Sequence, residues 1–296
     1  MKKSCFGGTD LLKTHPCLSK DAHHRYGRIH LPVAPACNIQ CGYCVRKYDC
    51  ANESRPGVTS RVLTAAEAFE RVGAVVGRDE RITVVGVAGP GDPLANEATF
   101  ELFRAVGREF PEITLCASTN GLMLPARVDE LAESGVKSLT VTINTLSPKT
   151  AARIYRWVRY EGETLKGEEA GERLVGNQWL GLKEAVKAGM VVKVNTILLP
   201  GINDGEIPDI ARAAGALGAA VMNVMPLIPQ GTFEGFRPPD RSELDAMRLK
   251  CGDSISQIGH CRQCRADAAG MLGEDRDMEM EALIARLADD YAEMVA

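Results

Sequence analysis

Cys37, Cys41 and Cys44 are spaced CxxxCxxC directly after an apolar, strand-like run, Ile29 to Ala34. Three thiolates this close can hold three corners of a cubane iron–sulfur cluster, whose usual protein complement is four cysteines. One iron is then left open to bind something else. At the mouth of a β/α domain, an open iron points to S-adenosylmethionine (SAM), chelated there and cleaved reductively. The competing readings are a zinc knot lacking one ligand and chance clustering, and the flanking sequence speaks against both.

Tyr43 precedes the last cysteine of the triplet, where an aromatic ring could pack on adenine; an ordinary loop aromatic is the bland reading. The segment Ala88-Gly89-Pro90-Gly91-Asp92-Pro93 follows the next strand-like run. Glycines at a strand end allow a close backbone approach, and exposed backbone groups there can grip a zwitterionic amino acid. One β/α unit after the triplet, Gly89, Gly91 and Asp92 become candidates for the methionyl part of SAM, although a tight turn explains them equally well. Ser118 and Asn120, Asn144 and Asn195 are polar residues in or just after later strand-like runs, positioned for ligand contact or for capping turns.

Seven further cysteines ask for explanation. Cys50 follows the triplet closely, Cys116 lies in a strand-like run, Cys17 follows His15-Pro16, and Cys261-x-x-Cys264 follows His260. A lone CxxC is unspecific and a lone cysteine is often a core residue. Together with the histidines, they can serve two further four-iron clusters if ligands are few per cluster or include imidazole. His23 and His24 precede the first strand, and His24 is the histidine freest to reach a cluster. Glu53, three residues beyond Cys50, is a candidate general acid/base, with an ion pair to Arg46 or Arg55 as the alternative. Cys5 and Cys251 read as spare.

The elements that must position these groups alternate in type. Strand candidates are Ile29–Ala34, Ile82–Ala88, Thr114–Ser118, Leu139–Ile143, Val191–Leu199 and Ala220–Ile228, several of them apolar on successive residues as if covered on both faces. Thr64 and Glu67 make a capping box, Ser147-Pro148 opens a helix expected to run through Arg153–Val158, and Gly135 and Gly189 suit helix C-termini. The fold expected is α/β: a partial (β/α)6 parallel open barrel with its site at the strands' C-terminal ends. The divisions are an N-terminal extension (1–28), a core (29–255) and a C-terminal extension (256–296), both extensions lying over the barrel mouth. Tyr160–Gly171 reads as a mobile, charged excursion that covers the mouth, and Glu274–Val295 as an acidic covering helix.

With 296 residues, 45% of them hydrophobic, the chain can bury a substantial core. A formal net charge of −4 without any basic run argues against nucleic acid or anionic membranes as partners. No apolar stretch approaches the ~18 residues of a spanning helix, and the N-terminus lacks the apolar core of a secretory signal. A cytoplasmic setting is expected, where ten cysteines are better explained by metal than by disulfides.

The stretch His15-Pro16-Cys17, then AHHRYGRIHLPVAPACNIQCGYCVRKYDCANESRPGV, resembles the NifB family of nitrogenase-cofactor maturases, which are radical SAM enzymes. VAGPGDPLAN, STNGLMLP, TVTIN, KVNTILLPGIND, NVMPLIPQGTF and CRQCRADAAG continue the likeness, from about His15 to Gly270. The resemblance implies a SAM cluster on Cys37, Cys41 and Cys44 and two further four-iron clusters that are substrates. They would be fused into an eight-iron, carbide-centred precursor of the nitrogenase cofactor. One SAM would methylate a cluster sulfide, and a second would yield the 5′-deoxyadenosyl radical that abstracts hydrogen from that methyl. By position, His24, Cys50 and Cys116 are assigned to one substrate cluster and Cys17, Cys261 and Cys264 to the other. Implied partners are an iron–sulfur cluster donor, a carrier or scaffold accepting the product, and an electron donor such as ferredoxin. Relatives often carry a C-terminal cofactor-binding domain, so this chain reads as a stand-alone core. Two other classes remain open: a radical SAM enzyme whose extra clusters only carry electrons while a peptide or nucleotide is modified, and a non-catalytic iron–sulfur carrier.

Overall fold

A computed structural model describes residues 8–53, 55, 57–274, 276, 291 and 294. Its strands are β1 (Gly27–His30), β2 (Ile39–Cys41), β3 (Ile82–Val87), β4 (Thr114–Thr119), β5 (Val136–Thr142), β6 (Tyr155–Tyr160), β7 (Glu163–Leu165), β8 (Val191–Leu198), β9 (Val221–Pro226) and β10 (Ala269–Gly270). The helices are α1 (Gly8–Thr14), α2 (Ala65–Val76), α3 (Glu97–Glu109), α4 (Leu124–Glu133), α5 (Pro148–Ile154), α6 (Gly167–Lys187), α7 (Ile207–Ala216) and α8 (Arg241–Gly252). β1, β3, β4, β5, β8 and β9 lie parallel in that order, the six-stranded open half-barrel expected from the sequence. β1 is shorter than expected because Pro32 has no N–H to give the ladder.

Side chains alternate across a strand, and here the two faces differ sharply. Leu115 and Ala117, Leu139 and Val141, Val192 and Val194, and Met222 and Val224 join the core shared with the helices. Their neighbours Ser118, Ser138, Thr140, Thr142, Lys193, Asn195 and Asn223 are buried and polar. In the middle of the sheet the strands are therefore apolar towards the helices and polar on the other face, while Val191, Ile197, Val221 and Met225 keep apolar patches at the ends of β8 and β9. The concave face is polar, as a chamber for charged or polar cargo needs to be.

Thr64 and Glu67 form the expected capping box on α2, and Ser147 accepts from Thr150 N at 3.3 Å at the start of α5. Gly135 (φ 87°) and Gly189 (φ 84°) take the left-handed conformation beyond α4 and α6. The helix expected through Arg153–Val158 ends at Ile154 instead. Tyr155–Tyr160 is a strand at the centre of a small antiparallel sheet, paired with β2 on one side and β7 on the other. Its buried Tyr155 and Val158 and its exposed Arg156 and Arg159 suit a half-buried strand. Tyr160–Gly171 is likewise not an open loop: Glu161 (φ 49°) and Gly162 (φ 83°) turn a tight hairpin into β7, and α6 follows.

Both chain ends are tied to the half-barrel. Leu11 and Leu18 pack with Val191 and Val221, the first residues of β8 and β9, and Thr83 Oγ1 donates to Thr14 O at 3.3 Å. The N-terminal segment thus approaches the strands' starting ends and does not lie over the mouth. The segment 256–270 runs from one free edge to the other. Met222 N donates to Ser256 O and Ile258 N to Met222 O, both at 2.8 Å, while β10 pairs antiparallel with β1. Buried Arg28 anchors this far end, donating to Gly270 O (2.7 Å) and Met271 O (2.9 Å). Cys5 lies wholly, and the expected helix Glu274–Val295 largely, outside the described residues. Among the described residues no helix is long and apolar enough to cross a membrane.

Candidate functional site

The cysteine loop leaves β1 and is stitched at once to the loop after β3. Gly91 N donates to Ala34 O (2.5 Å), Asp92 N to Ala36 O (2.9 Å), and Asn96 Nδ2 to Ala36 O (2.9 Å). A Cβ on Gly91 would lie 2.2 Å from Ala36 O. Gly91 therefore serves a backbone–backbone approach within the chain, while also lining the cavity of the cysteine triplet. Asp92 is the hub of this junction. Its carboxylate accepts from Asn120 N (2.6 Å), Leu94 N (2.9 Å) and the Thr119 hydroxyl (2.9 Å). Burial pushes it up to about 6, against the opposing pull of these donors. Asn120 carries the connection on, donating to Asn38 Oδ1 at 2.7 Å and lying 3.7 Å from Cys37 Sγ.

Cys37, Cys41, Cys44 and Cys50 line one cavity of about 420 Å³, together with Tyr43, Arg46, Glu53, Gly91, Asp92, Ser118 and Asn120. β2 fixes Cys41 opposite Tyr155, and Thr232 N holds Gly42 O at 2.8 Å. Tyr43 is wedged edge-on to Phe233. Its hydroxyl donates to Asn52 Oδ1 (2.8 Å) and accepts from Asn144 Nδ2 (2.7 Å), so the ring is bracketed by the protein while still bordering the cavity. Asn144, fully buried, also donates to the Tyr155 hydroxyl and accepts from Ile197 N; its polar atoms serve the scaffold.

The donor set fits an iron–sulfur cluster. The described cysteines are free of disulfides. Burial pushes Cys37 up to about 11 and raises Cys41, Cys44 and Cys50, so thiolates form there only beside a compensating cation such as iron. Burial disfavours the charge on Arg46 at the rim, but Cys37, Cys44 and Cys50 together raise its pKa. Among the described residues no three His, Cys, Asp or Glu side chains close on a point fit for one metal ion. Thiols spread around a space suit a multi-iron cluster better than zinc.

A second cavity of about 380 Å³ is lined by Cys17, His30, Glu53, Lys193, His260, Cys261, Arg262, Cys264 and Leu272. It joins the two chain ends to the polar inner face of β8. Burial pushes Cys17 up to about 12, with Lys193 as the main opposing influence. Burial pushes His30 down to about 3, holding the imidazole neutral.

Glu53 stands on the wall of both cavities. It accepts from Asn195 Nδ2 at 2.8 Å and bonds Ser118; burial raises its pKa while Lys193 opposes that rise. Its partners are these strand residues, where the sequence suggested Arg46 or Arg55.

The structure gathers Cys17, Cys261 and Cys264 in one place but spreads His24, Cys50 and Cys116 apart. Cys50 borders the triplet. Cys116, 3.5 Å from Ser138 Oγ, faces Lys193 and Glu53 and influences Cys17. His24 lies tilted against His23, ring centroids 3.7 Å apart, and lines an outer cavity with Arg55, Arg262 and Leu272. Gly89 (φ 150°) sits beside Cys50, whose Cβ a Gly89 side chain would meet at 3.7 Å. Cys251 is buried in α8, a core residue. The sequence reading missed Asn38 and Lys193. For Lys193 a signal existed, a single charged residue inside the strand-like run Val191–Leu199.

Residues 31–214 match the model of the Radical SAM superfamily. FeMo cofactor biosynthesis protein NifB of Klebsiella pneumoniae is 49% identical over 281 residues, covering 93% of this chain and 60% of that protein. The NifB of Azotobacter vinelandii is 46% identical over 275 residues, 90% of this chain and 55% of its own length. The chain thus spans little more than half the length of these relatives. The crystal structure of Streptococcus suis SuiB shares the fold, with a TM-score of 0.59 at 14% identity over 83% of this chain and 52% of that one. The chain belongs to the Radical SAM superfamily, and NifB proteins are its relatives across nine-tenths of its length.

Proposed function

We propose that this chain is a radical SAM enzyme of nitrogenase cofactor biosynthesis, which methylates and fuses two four-iron substrate clusters into an eight-iron, carbide-centred product. The observation that carries this reading is the pair of thiol-lined cavities meeting at Glu53, one on the cysteine triplet and one on Cys17, Cys261 and Cys264.

Cys37, Cys41 and Cys44 would hold the resident cluster, which when bound supplies the electron and the open iron for SAM cleavage. The chain's own residues do the rest. Asp92 and Asn120 fix the two loops that border the open side of the triplet. Tyr43 and Tyr155, buried and hydrogen-bonded, close that side to water. Cys17, Cys261 and Cys264 receive one substrate cluster; Cys50, Cys116 and His24, which stand apart in this structure, would have to converge to hold the other. Glu53, raised by burial and in reach of both cavities, is placed to accept or return a proton as a methyl carbon is dehydrogenated.

The test is iron and sulfide per chain together with SAM products from the reduced, reconstituted protein. About twelve irons, as three four-iron clusters require, with both S-adenosylhomocysteine and 5′-deoxyadenosine formed, is the expected result. Four irons, or no 5′-deoxyadenosine, would overturn the proposal. Clusters that all survive turnover unchanged would favour a peptide- or nucleotide-modifying enzyme with electron-carrying clusters.

A further inference from the structure

Lys193 is the one lysine among the buried polar residues of the half-barrel. It projects from the third position of β8, two residues before Asn195, into the cavity of Cys17, Cys261 and Cys264. An ammonium taken out of water costs several kcal/mol unless it is paired. Yet Lys193 makes no hydrogen bond or ion pair among the described residues; its charge instead faces Glu53, Cys17, Cys261 and Cys116 through space. Glu53 is already engaged by Asn195 and Ser118. A cation held there without a dedicated partner implies an anionic occupant.

We propose that Lys193 is a positioning residue for substrate, its fixed charge drawing an anionic iron–sulfur cluster onto Cys17, Cys261 and Cys264. A four-iron core held by three thiolates carries net negative charge, because sulfides and thiolates together outweigh the irons. The thiols alone would make the cavity hostile to that charge, and Lys193, on the wall that β8 contributes, offsets it. The outer triplet uses a different device, Arg46 at its rim. The proposal rests on reading the second cavity as a cluster site.

The experiment compares Lys193→Met, Lys193→Arg and a Cys17/Cys261/Cys264→Ser triple variant by iron content and by redox titration followed with electron paramagnetic resonance. The triple variant identifies, by subtraction, the iron and the signal belonging to this cavity. Lys193→Met is expected to move the midpoint potential of that signal to lower values, since reduction adds negative charge beside the lost cation, and to speed loss of its iron to a chelator. Lys193→Arg should restore both. An unchanged midpoint in Lys193→Met overturns the proposal. If Lys193→Met fails to fold, Glu53→Gln gives the reciprocal reading: removing the opposing charge should raise the same midpoint, and an unmoved one again overturns the proposal. Should the triple variant keep all its iron and every signal, the cluster-site reading itself falls.

Discussion

Cys37, Cys41, Cys44 and Cys50 come from one continuous loop, whereas Cys17 and the Cys261/Cys264 pair arrive from opposite ends of the chain to a cavity on the other side of Glu53. The first cavity is set by strands and loops of the half-barrel itself: β2 pins Cys41 against β6, and the Asp92 junction sets the loop against β3 and β4. The second depends on tertiary closure, in which segment 256–270 bridges the edge strands β9 and β1. Each set has one buried member, Cys41 and Cys264, and the sets differ in Cys261, which alone among these thiols is exposed. A resident cluster needs a closed, prebuilt seat, and a substrate cluster needs one that can be entered and left.

Breaking the local cavity should have the largest effect. Replacing Cys37, Cys41 or Cys44 with Ala is expected to abolish 5′-deoxyadenosine formation while the chain loses only about four irons, those of one cluster. Chromatographic assay of 5′-deoxyadenosine and iron analysis check it; undiminished cleavage in any of the three variants would remove the SAM site from this loop.

Breaking the assembled cavity should leave SAM cleavage standing. A Cys261→Ser/Cys264→Ser variant is expected to lose about four irons and all eight-iron product. Its basal 5′-deoxyadenosine should stay near the parent level, because Cys37, Cys41 and Cys44 are seated by β2 and the Asp92 junction rather than by Cys261 or Cys264. A variant that keeps its full iron and still makes product would show the CxxC pair to be structural.

How much of this was legible in the sequence follows the same divide. The triplet, the six strands, the Thr64–Glu67 box and the glycine C-caps are local patterns, and each could be read from its own residues. The chemistry of Asp92 was only half legible, because its role as a hub appears once Thr119 and Asn120 converge on it from another strand. The polar concave face was in principle readable from the alternation in Thr114–Thr119 and Val136–Thr142, but the apolar runs in neighbouring strands suggested cover on both faces. The β6–β7 hairpin was missed because Ser147-Pro148 starts a helix that only its pairing with β2 stops. Lys193 and Cys17 share a cavity through long-range contacts that no spacing encodes.

A smaller effect should come from the backbone junction that sets the local cavity. Gly91→Ala places a methyl 2.2 Å from Ala36 O, and neither atom can swing away because both belong to main chain or Cβ. The loops must part, at a cost of about 1–3 kcal/mol typical of overpacking. Urea unfolding should show that loss. SAM cleavage should fall with it, while iron at Cys17, Cys261 and Cys264 is retained. An unchanged cleavage rate would show that the Asp92 junction is not what seats the triplet.

The smallest effect should come from the hairpin that replaces the expected mobile loop. Glu161 and Gly162 both have positive φ, the requirement of a two-residue type I′ turn, for which Asn-Gly is favoured. An ordinary side chain such as Glu in this region costs roughly 1–2 kcal/mol, and Asn tolerates it better. Glu161→Asn is therefore expected to stabilise the chain by about 0.5–1 kcal/mol, read as a rise in the urea midpoint at constant slope. The hairpin braces β6, and β6 in turn holds Cys41. A tighter turn should therefore leave iron content and SAM cleavage unchanged, since β6 is already in register. If cleavage instead fell as the turn stiffened, the hairpin would have to move during the reaction, and the mobile cover read from Tyr160–Gly171 would return as the better account of this segment.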